Sequence, residues 1–291
     1  MKSYPLHTFS IVGFEPSGPS WGVAVASKFL AAGALVAWAR AGAGAVATQA
    51  LAKVSCGSRG LDLMLQGLSA QAVLSQLLQD DPEREHRQIA CVDAQGRAAA
   101  FTGAECLAWA GHRVGNGYAC QGNILTGPET LTAMADAFEI TQDDLATRLI
   151  AALLAGDVAG GDRRGKQSAA LLVVKPNGGY GGDNDRYIDL RVDDDPDPVR
   201  RLAALLNLHT LYFGKTDPDK LVSIDSALAI ELQTVLTRLG YYHGPVSGIW
   251  DDVSIQAFWS FISTENLEER WSPANAHKID PVILNFILEL F

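Results

Sequence analysis

The feature that most constrains the fold is a pair of alternating segments within the first 28 residues. Residues 8–14 alternate small polar with apolar side chains, a break rich in Pro, Ser and Gly follows at 16–20, and residues 21–28 alternate again. Alternation, turn and alternation predict a β-hairpin. In an antiparallel pair the start of one strand lies beside the end of the other. We therefore expect the hydroxyl of Thr8 and the ammonium of Lys28 to face each other at one edge of a sheet.

The rest of the first two thirds of the chain mixes helix and strand patterns. Helical spacing of apolar residues runs over 58–79, divided at Ser69 as an N-cap, then over 128–138 and 143–154, with Thr141 as N-cap of the last helix. Strands are predicted over 35–40, 43–50, 87–92, 97–102, 118–124, 168–175 and 186–192. Antiparallel sheets covered by helices are the simplest arrangement of these elements, so the sequence predicts an α+β fold.

Composition and charge argue against several classes of protein. The chain has 33 acidic against 23 basic residues, a formal net charge of −10, and phosphate binding needs clustered Lys and Arg, so no nucleic-acid partner is expected. The four cysteines lack C-x-x-C spacing and the six histidines are scattered, which indicates no metal site. The G-x-G-x-x-A match at 42–47 continues as a strand, so no dinucleotide cofactor is expected. Without a visible signal peptide or membrane span, we expect a cytoplasmic protein with no membrane partner.

Several segments between residue 8 and about residue 215 resemble an uncharacterised family, a domain of unknown function, with the fold of N-terminal nucleophile (Ntn) hydrolases. The opening at 8–12 and the return at 23–28 also resemble the first hairpin of proteasome subunits. The other segments that carry the resemblance are 44–49, 84–88, 109–112, 121–123 and 160–168. The resemblance implies a four-layer αββα sandwich.

The same resemblance implies a site for amide hydrolysis. An Ntn hydrolase attacks an amide with the side chain of its first residue, and the free α-amine of that residue, with a reference pKa of about 7.7–8.0, is the general base. Thr8 is the candidate nucleophile and Lys28 its electrostatic partner, while Asn123, or backbone N–H groups near 48–49, would form an oxyanion hole. The candidate catalytic residues are Thr8, Ser10, Lys28, Asn123, Asp162 and Ser168. The candidate substrate-binding residues are Ser27, Thr48, Gln49, His86, Arg87 and Gln121.

Alternatives stand beside these assignments. Thr8 and Ser10 also suit ordinary strand positions, and Lys28 a solvated strand end. Seven residues precede Thr8 and must be removed before its α-amine is free. Ala26 stands where proteasome subunits carry a catalytic Asp, a departure from that pattern.

Two charged clusters are also open to two interpretations. The cluster at 84–88 could bind a carboxylate through Arg87, with His86 as acid or base, or it could be a surface ion-pair cluster. The run at 162–167 could line a site at a strand mouth, with Asp162 and Ser168 orienting the nucleophile, or it could be solvated charge.

The last third of the chain predicts a separate helical module. An acidic run at 193–197 precedes a connecting helix, and further helices are predicted over 226–239, 254–263 and 281–290. Residues 232–261 resemble small peptidoglycan-binding domains, although Ser247 stands where those domains usually carry Asp. The predicted division is 1–192 for the Ntn-like domain, 193–222 for the acidic linker and connecting helix, and 223–291 for the three-helix domain.

Taken together, the residues and the resemblance favour an amidohydrolase acting on a small amide or peptide-like substrate. The alternative is a non-catalytic binding protein on the same fold, whose C-terminal module binds a partner or a peptidoglycan fragment. A third interpretation is a cell-wall amidase, which would require non-classical export. The resemblance also implies a homodimer.

Overall fold

The structure, a computed structural model, describes residues 8–290. By contacts within the chain, it divides into two compact units between Leu206 and Asn207. The sequence predicted that the first domain ends at residue 192 and is followed by a linker. The division falls in helix α6 (Pro198–Phe213), within the segment 193–222 predicted to hold the linker and a connecting helix. Within the described residues, no helix is long and apolar enough to cross a membrane.

Two antiparallel sheets form the centre of the first unit. The larger has the strand order β10-β9-β2-β1-β8-β7 and the smaller the order β3-β4-β5-β6. The strands of the first unit are β1 (Thr8–Glu15), β2 (Ser20–Ser27), β3 (Ala37–Arg40), β4 (Gly44–Ala50), β5 (Arg87–Asp93), β6 (Ala98–Thr102), β7 (Gly111–Gly115), β8 (Tyr118–Gly122), β9 (Ser168–Val174) and β10 (Arg186–Val192). The predicted first hairpin is confirmed, because β1 and β2 pair in register from Thr8 opposite Ser27 to Glu15 opposite Ser20.

Successive side chains in these strands point to opposite faces of the sheet, which creates two apolar layers. Side chains such as Val12 of β1 and Val25 of β2 pack against Ala47 of β4 and Ala90 of β5, so the sheets stack face to face. The alternate residues Phe9 and Ile11 point the other way and pack against helices. The central strand β1 is therefore buried on both faces.

Helices cover the outer face of each sheet. The helices of the described chain are α1 (Gly33–Val36), α2 (Ser55–Leu65), α3 (Ala70–Leu78), α4 (Glu129–Ile140), α5 (Leu145–Val158), α6 (Pro198–Phe213), α7 (Ser226–Arg238), α8 (Asp252–Thr264) and α9 (Pro281–Leu290). Helices α4 and α5 pack on the larger sheet, and α2 and α3 pack on the smaller one. The predicted α+β fold is confirmed, and the layers follow one another as helix, sheet, sheet and helix.

Of the two N-cap predictions, the one for α3 is correct and the one for α5 is wrong. Ser69 caps α3 as predicted, because its hydroxyl accepts the N–H of Ala72. The predicted cap Thr141 instead ends α4, and its hydroxyl donates to the carbonyl of Ala137. Asp144 caps α5, since a carboxylate is both a cap acceptor and a charge favoured at a helix N-terminus.

Two strand predictions also differ from the structure. The predicted strand 35–40 begins only at Ala37, after the short helix α1. Strand β7 was not predicted at all, because its central residues His112 to Val114 are exposed and give no inward apolar alternation. It forms one edge of the larger sheet and pairs with β8.

The second unit has a separate aromatic core. Helices α7, α8 and α9 enclose Phe258, Phe261 and Trp271, and two short strands, β11 (Val222–Ser223) and β12 (Lys278–Ile279), pair beside them. Helix α7 ends before Gly240, whose φ of +83° is the left-handed conformation that commonly follows a helix. A three-helix module was predicted here, and the structure has it.

The four cysteines differ in their exposure. Cys56, Cys91 and Cys120 are buried, whereas Cys106 is half-buried, and none of the four forms a disulfide. The Cys106 thiol donates to the carbonyl of Arg87.

Candidate active site

Thr8 opens the central strand of the larger sheet and is held on two sides. Its hydroxyl donates to the Ser27 hydroxyl at 3.2 Å. Its carbonyl accepts the backbone N–H of Asn123 at 3.1 Å and the side-chain amide of Gln49 at 3.2 Å. Thr8 is 0% exposed, so both its polar groups are fixed inside the protein.

A layer of buried amides lies between the two sheets beside Thr8. The carbonyl oxygen of the Gln88 side chain accepts from Gln49 Nε2 at 2.8 Å and from Asn123 Nδ2 at 2.9 Å. The Gln88 amide nitrogen lies within 2.8 to 3.1 Å of the Gly122 carbonyl, the Thr102 hydroxyl and the Gly111 carbonyl. Gln88 thus joins the side chains of both residues that hold the Thr8 carbonyl.

Ser10 and Gln121 extend this layer deeper between the sheets. The Ser10 hydroxyl donates to Gln49 Oε1 at 2.7 Å and accepts from Gln121 Nε2 at 3.4 Å. Gln121 Nε2 also donates to the Ala47 carbonyl at 3.0 Å, which fixes the orientation of the amide. Within the described part of the chain, the other end of that amide, Gln121 Oε1, is buried without a hydrogen-bond partner. The predicted residues Ser10, Gln49, Gln121 and Asn123 therefore meet Thr8 in one network.

The backbone is strained directly after two members of this network. Ala50 follows Gln49 with a φ of +64°, and Ile124 follows Asn123 with a φ of +47°. A β-branched residue at positive φ is a genuine outlier, and such strain concentrates at functional sites. Both strands that carry the amides turn sharply at the same end of the sheets.

Lys28 does not face Thr8 as predicted. The residue opposite Thr8 is Ser27, so the lysine lies one position beyond the end of the pair. The Lys28 ammonium is exposed and donates to the carbonyl of Lys166 at 3.2 Å. The expected juxtaposition was wrong because a strand reverses its side-chain direction at every residue.

Asp162 and Ser168 bond to loops. The Asp162 carboxylate accepts the Lys28 backbone N–H at 3.0 Å and forms an ion pair with Arg164 at 2.7 Å. The Ser168 hydroxyl donates to the Phe29 carbonyl at 2.6 Å and accepts the Ala32 N–H at 3.1 Å. Ser168 is opposite Ser27 in the sheet, one strand further from Thr8. These bonds fix the strand ends around Ser27. The Thr8 hydroxyl bonds Ser27 rather than Asp162 or Ser168.

Arg87 lies in a buried ion cluster. Its guanidinium is 3.0 Å from Asp81 and 2.7 Å from Glu83, and it also donates to the Leu51 carbonyl. Burial raises the pKa of the Asp81 carboxyl, but the hydrogen bonds and charge of Arg87, with help from Lys53, outweigh burial and leave that pKa below its usual range. Arg87 is thus already paired with two carboxylates.

The remaining predicted residues lie apart from the amide layer. His86 is exposed in the turn before β5. The Thr48 hydroxyl is 3.5 Å from the Lys53 carbonyl, and Thr48 is buried. Within residues 8–290, no group of His, Cys, Asp and Glu side chains has the arrangement of a metal site.

The sequence did not predict a role for Gln88, nor the hydrogen bonds that link Gln88 through Thr102 to His112. The Thr102 hydroxyl, which accepts from Gln88, lies 2.9 Å from Nδ1 of His112, and burial lowers the pKa of that histidine. The available signal was an amide at an inward position of an otherwise apolar strand, since Gln88, Ala90 and Val92 share one face of β5.

Comparisons with known proteins agree with this architecture. The family described as "Family of unknown function (DUF1028)" matches residues 8–202, and the family described as "Putative peptidoglycan binding domain" matches residues 212–287. The crystal structure of protein SPO2555 from Silicibacter pomeroyi, a DUF1028 protein, is 32% identical, with a TM-score of 0.65 over 72% of this chain and 88% of that one. No curated protein matches the chain. The resemblance predicted from the sequence is confirmed: the chain belongs to the DUF1028 family and carries a C-terminal peptidoglycan-binding-like domain.

Proposed function

We propose that this protein is an amide hydrolase of the Ntn type that uses Thr8 as its nucleophile on a small amide or peptide-like substrate. The observation that carries the proposal is the position of Thr8 at the start of the central strand, with its hydroxyl on Ser27 and its carbonyl held by Asn123 and Gln49. An attacking group must be fixed to within a fraction of an ångström, and this clamp supplies such fixation. Residues 1–7, which must first be removed, lie outside the described residues.

The reaction follows from a hydroxyl beside a free α-amine. Thr8 Oγ1 attacks the amide carbon while its proton passes to the α-amine, and the resulting tetrahedral intermediate expels the amine, which takes up that proton. Water then attacks the acyl ester, releases the acid and restores the Thr8 hydroxyl. Asn123 is the candidate oxyanion donor, because its carboxamide lies in the same buried layer as the Thr8 carbonyl.

Ser27, predicted to bind substrate, and the predicted catalytic residues Asp162, Ser168 and Lys28 receive positioning roles in this proposal. Ser27 is the direct partner of the nucleophile's hydroxyl. Asp162 holds the backbone of Lys28, and Ser168 holds the 29–32 turn, so both fix the strand that carries Ser27. Lys28 contributes a positive charge at the strand end without touching the Thr8 hydroxyl.

The proposal is tested by intact mass and N-terminal sequencing, fresh and after long incubation near pH 8, with an amide-hydrolysis screen on each sample. Loss of residues 1–7 together with new hydrolysis is expected. Thr8→Ala should abolish hydrolysis, whereas the exposed control Thr264→Ala should retain it. An intact chain in every sample, or hydrolysis that survives Thr8→Ala, would refute this function.

A second candidate function is non-catalytic binding. Two observations favour it: the hydroxyl of Thr8 is 0% exposed and already bonded, and the C-terminal unit resembles a binding module. The test is pull-down of the full chain on purified peptidoglycan, with heat-denatured protein as control. Retention that requires the native fold, in a chain that is never processed, would favour this function over hydrolysis.

A further inference from the structure

A small cavity lies at the ends of β1 and β2, next to the residue that bonds the Thr8 hydroxyl. Its volume is about 70 Å³, and its walls include Ser27, Phe9, Ala26 and Val199. A water molecule needs about 10–15 Å³ on the same measure, so the cavity has room for a group of several heavy atoms. A substrate group placed there would lie against Ser27, whose hydroxyl accepts a hydrogen bond from the Thr8 hydroxyl.

The charged side chains around the cavity are paired with one another. The Lys166 ammonium is 2.5 Å from the Asp157 carboxylate and 3.3 Å from Asp197. The Asp162 carboxylate is 2.7 Å from the guanidinium of Arg164. The hydrogen bond that Lys166 donates to Asp157 raises the pKa of Lys166, so the ammonium remains charged at neutral pH. An additional ion in the cavity would find no uncompensated charge of opposite sign on these three lining groups and would lose its hydration.

We propose that this cavity binds the uncharged, largely apolar acyl group of a small amide and excludes charged acyl groups of the same size. Phe9, Ala26 and Val199 are each 2% exposed or less and supply an apolar surface. Charged acyl groups are excluded because the lining charges are already paired with one another, not because a residue of like charge repels them. This inference rests on the proposed function for its biological meaning, but the binding itself requires neither processing nor catalysis.

The test is a titration of the ¹⁵N-labelled full chain followed by amide NMR. Gly160 and Gly165 line the cavity and report on it, and Gly18 and Gly181, with open space around them, are the controls. Butyramide is compared with two amides of similar size, cationic β-alaninamide and anionic succinamate. We expect saturable shifts at Gly160 and Gly165 with butyramide and at least tenfold weaker binding of both charged amides. Equal or tighter binding of a charged amide, or no shift at the lining glycines, would overturn the proposal.

Two variants test the charge and size arguments separately. Lys166→Met leaves Asp157 without its cation, so binding of β-alaninamide should tighten at least tenfold, while the exposed control Lys220→Met should change nothing.

Val199→Ala enlarges the cavity, so the preferred chain should lengthen from butyramide toward hexanamide, with the exposed Val253→Ala as control. Unchanged preferences in both folded variants would also overturn the proposal. Absence of hydrolysis with these preferences intact would refute the proposed function and leave the cavity's specificity standing.

Discussion

At the scale of single residues, the side chain on which most depends is Gln88. It is 0% exposed and accepts from the side-chain amides of Gln49 and Asn123, the two residues that hold the Thr8 carbonyl. Loss of the Gln88 side chain would remove one hydrogen-bond acceptor from the buried Gln49 amide and one from the buried Asn123 amide. A buried group left unpaired costs more than the net value of the bond that it made.

Gln88→Ala is therefore expected to lower the free energy of unfolding of the first unit by about 2–5 kcal/mol, since two buried amides each lose one hydrogen-bond acceptor. Urea denaturation of the purified chain measures the change. The exposed Gln71→Ala, in helix α3, is the matched control and should lie within about 0.5 kcal/mol of the wild type. A loss equal to that of the control would mean that Gln88 does not organise the amide layer.

The Asp81 and Arg87 pair predicts a pH dependence of stability. The carboxyl pKa is lower in the folded protein than its usual value of 3.8, so the pair stabilises the fold above that value and its contribution is lost as the pH falls through the folded pKa. Asp81→Asn should cost about 3–5 kcal/mol at pH 7, as for breaking a buried pair, and progressively less below pH of about 4.

The measurement is urea denaturation of both proteins between pH 3 and pH 7. The exposed neighbour Asp80→Asn serves as control, because it changes the same net charge without touching Arg87. A difference between Asp81→Asn and wild type that stayed constant across this range would show that the pair carries no pH-dependent stability.

At the scale of elements, the N-terminus of α5 distinguishes a real cap from a predicted one. Asp144→Ala should destabilise the first unit by about 1 kcal/mol, because it removes the acceptor of the Thr147 N–H. Thr141→Ala should cost less, since its hydroxyl bonds a carbonyl at the end of α4. Thermal and urea denaturation of the two variants compare them directly. A larger loss for Thr141→Ala would restore the interpretation made from sequence.

Most of the individual strands and helices could be predicted from the sequence, but the contacts between them could not. Alternation in residues 8–27 predicted β1 and β2. Because successive side chains of a strand point to opposite faces, the sequence also indicates which face carries Ser10 or Gln88. The bond between Ser10 and Gln49 joins residues 39 positions apart, on two different sheets. Such pairing depends on how the sheets stack, and no local pattern encodes it. For the same reason the sequence could place Lys28 near Thr8 but could not show where its ammonium points.

At the scale of the whole molecule, each unit has its own core and its own polar anchor. In the second unit, Gln233 accepts the N–H groups of Ser247 and Gly248 and donates to Ile249 and Ser254. It is 0% exposed, so this one amide fixes the turn between α7 and α8. Ser247, which stands where peptidoglycan-binding domains usually carry Asp, also holds this turn, because its hydroxyl accepts the N–H of Ile249.

Gln233→Ala should destabilise the second unit by about 2–5 kcal/mol, because two backbone donors lose their acceptor. Hydrogen exchange resolved by mass spectrometry is the measurement: exchange should accelerate in α7 and α8 and stay unchanged in β1 and β2. The exposed Gln256→Ala is the control in the same unit. Equal acceleration in both units would contradict their description as separate cores.

The unequal burial of the four cysteines makes the native protein selectively addressable by thiol chemistry. Burial raises the pKa of Cys120 to about 12, and it also raises the pKa values of Cys56, Cys91 and Cys106, so the difference in labelling depends on access to the sulfur. Only Cys106 among the four is half-buried, and its sulfur contacts the carbonyl of Arg87, the residue before Gln88. A maleimide dye should therefore label one position under native conditions and four in denaturant, which gives the amide layer a fluorescent reporter without any substitution.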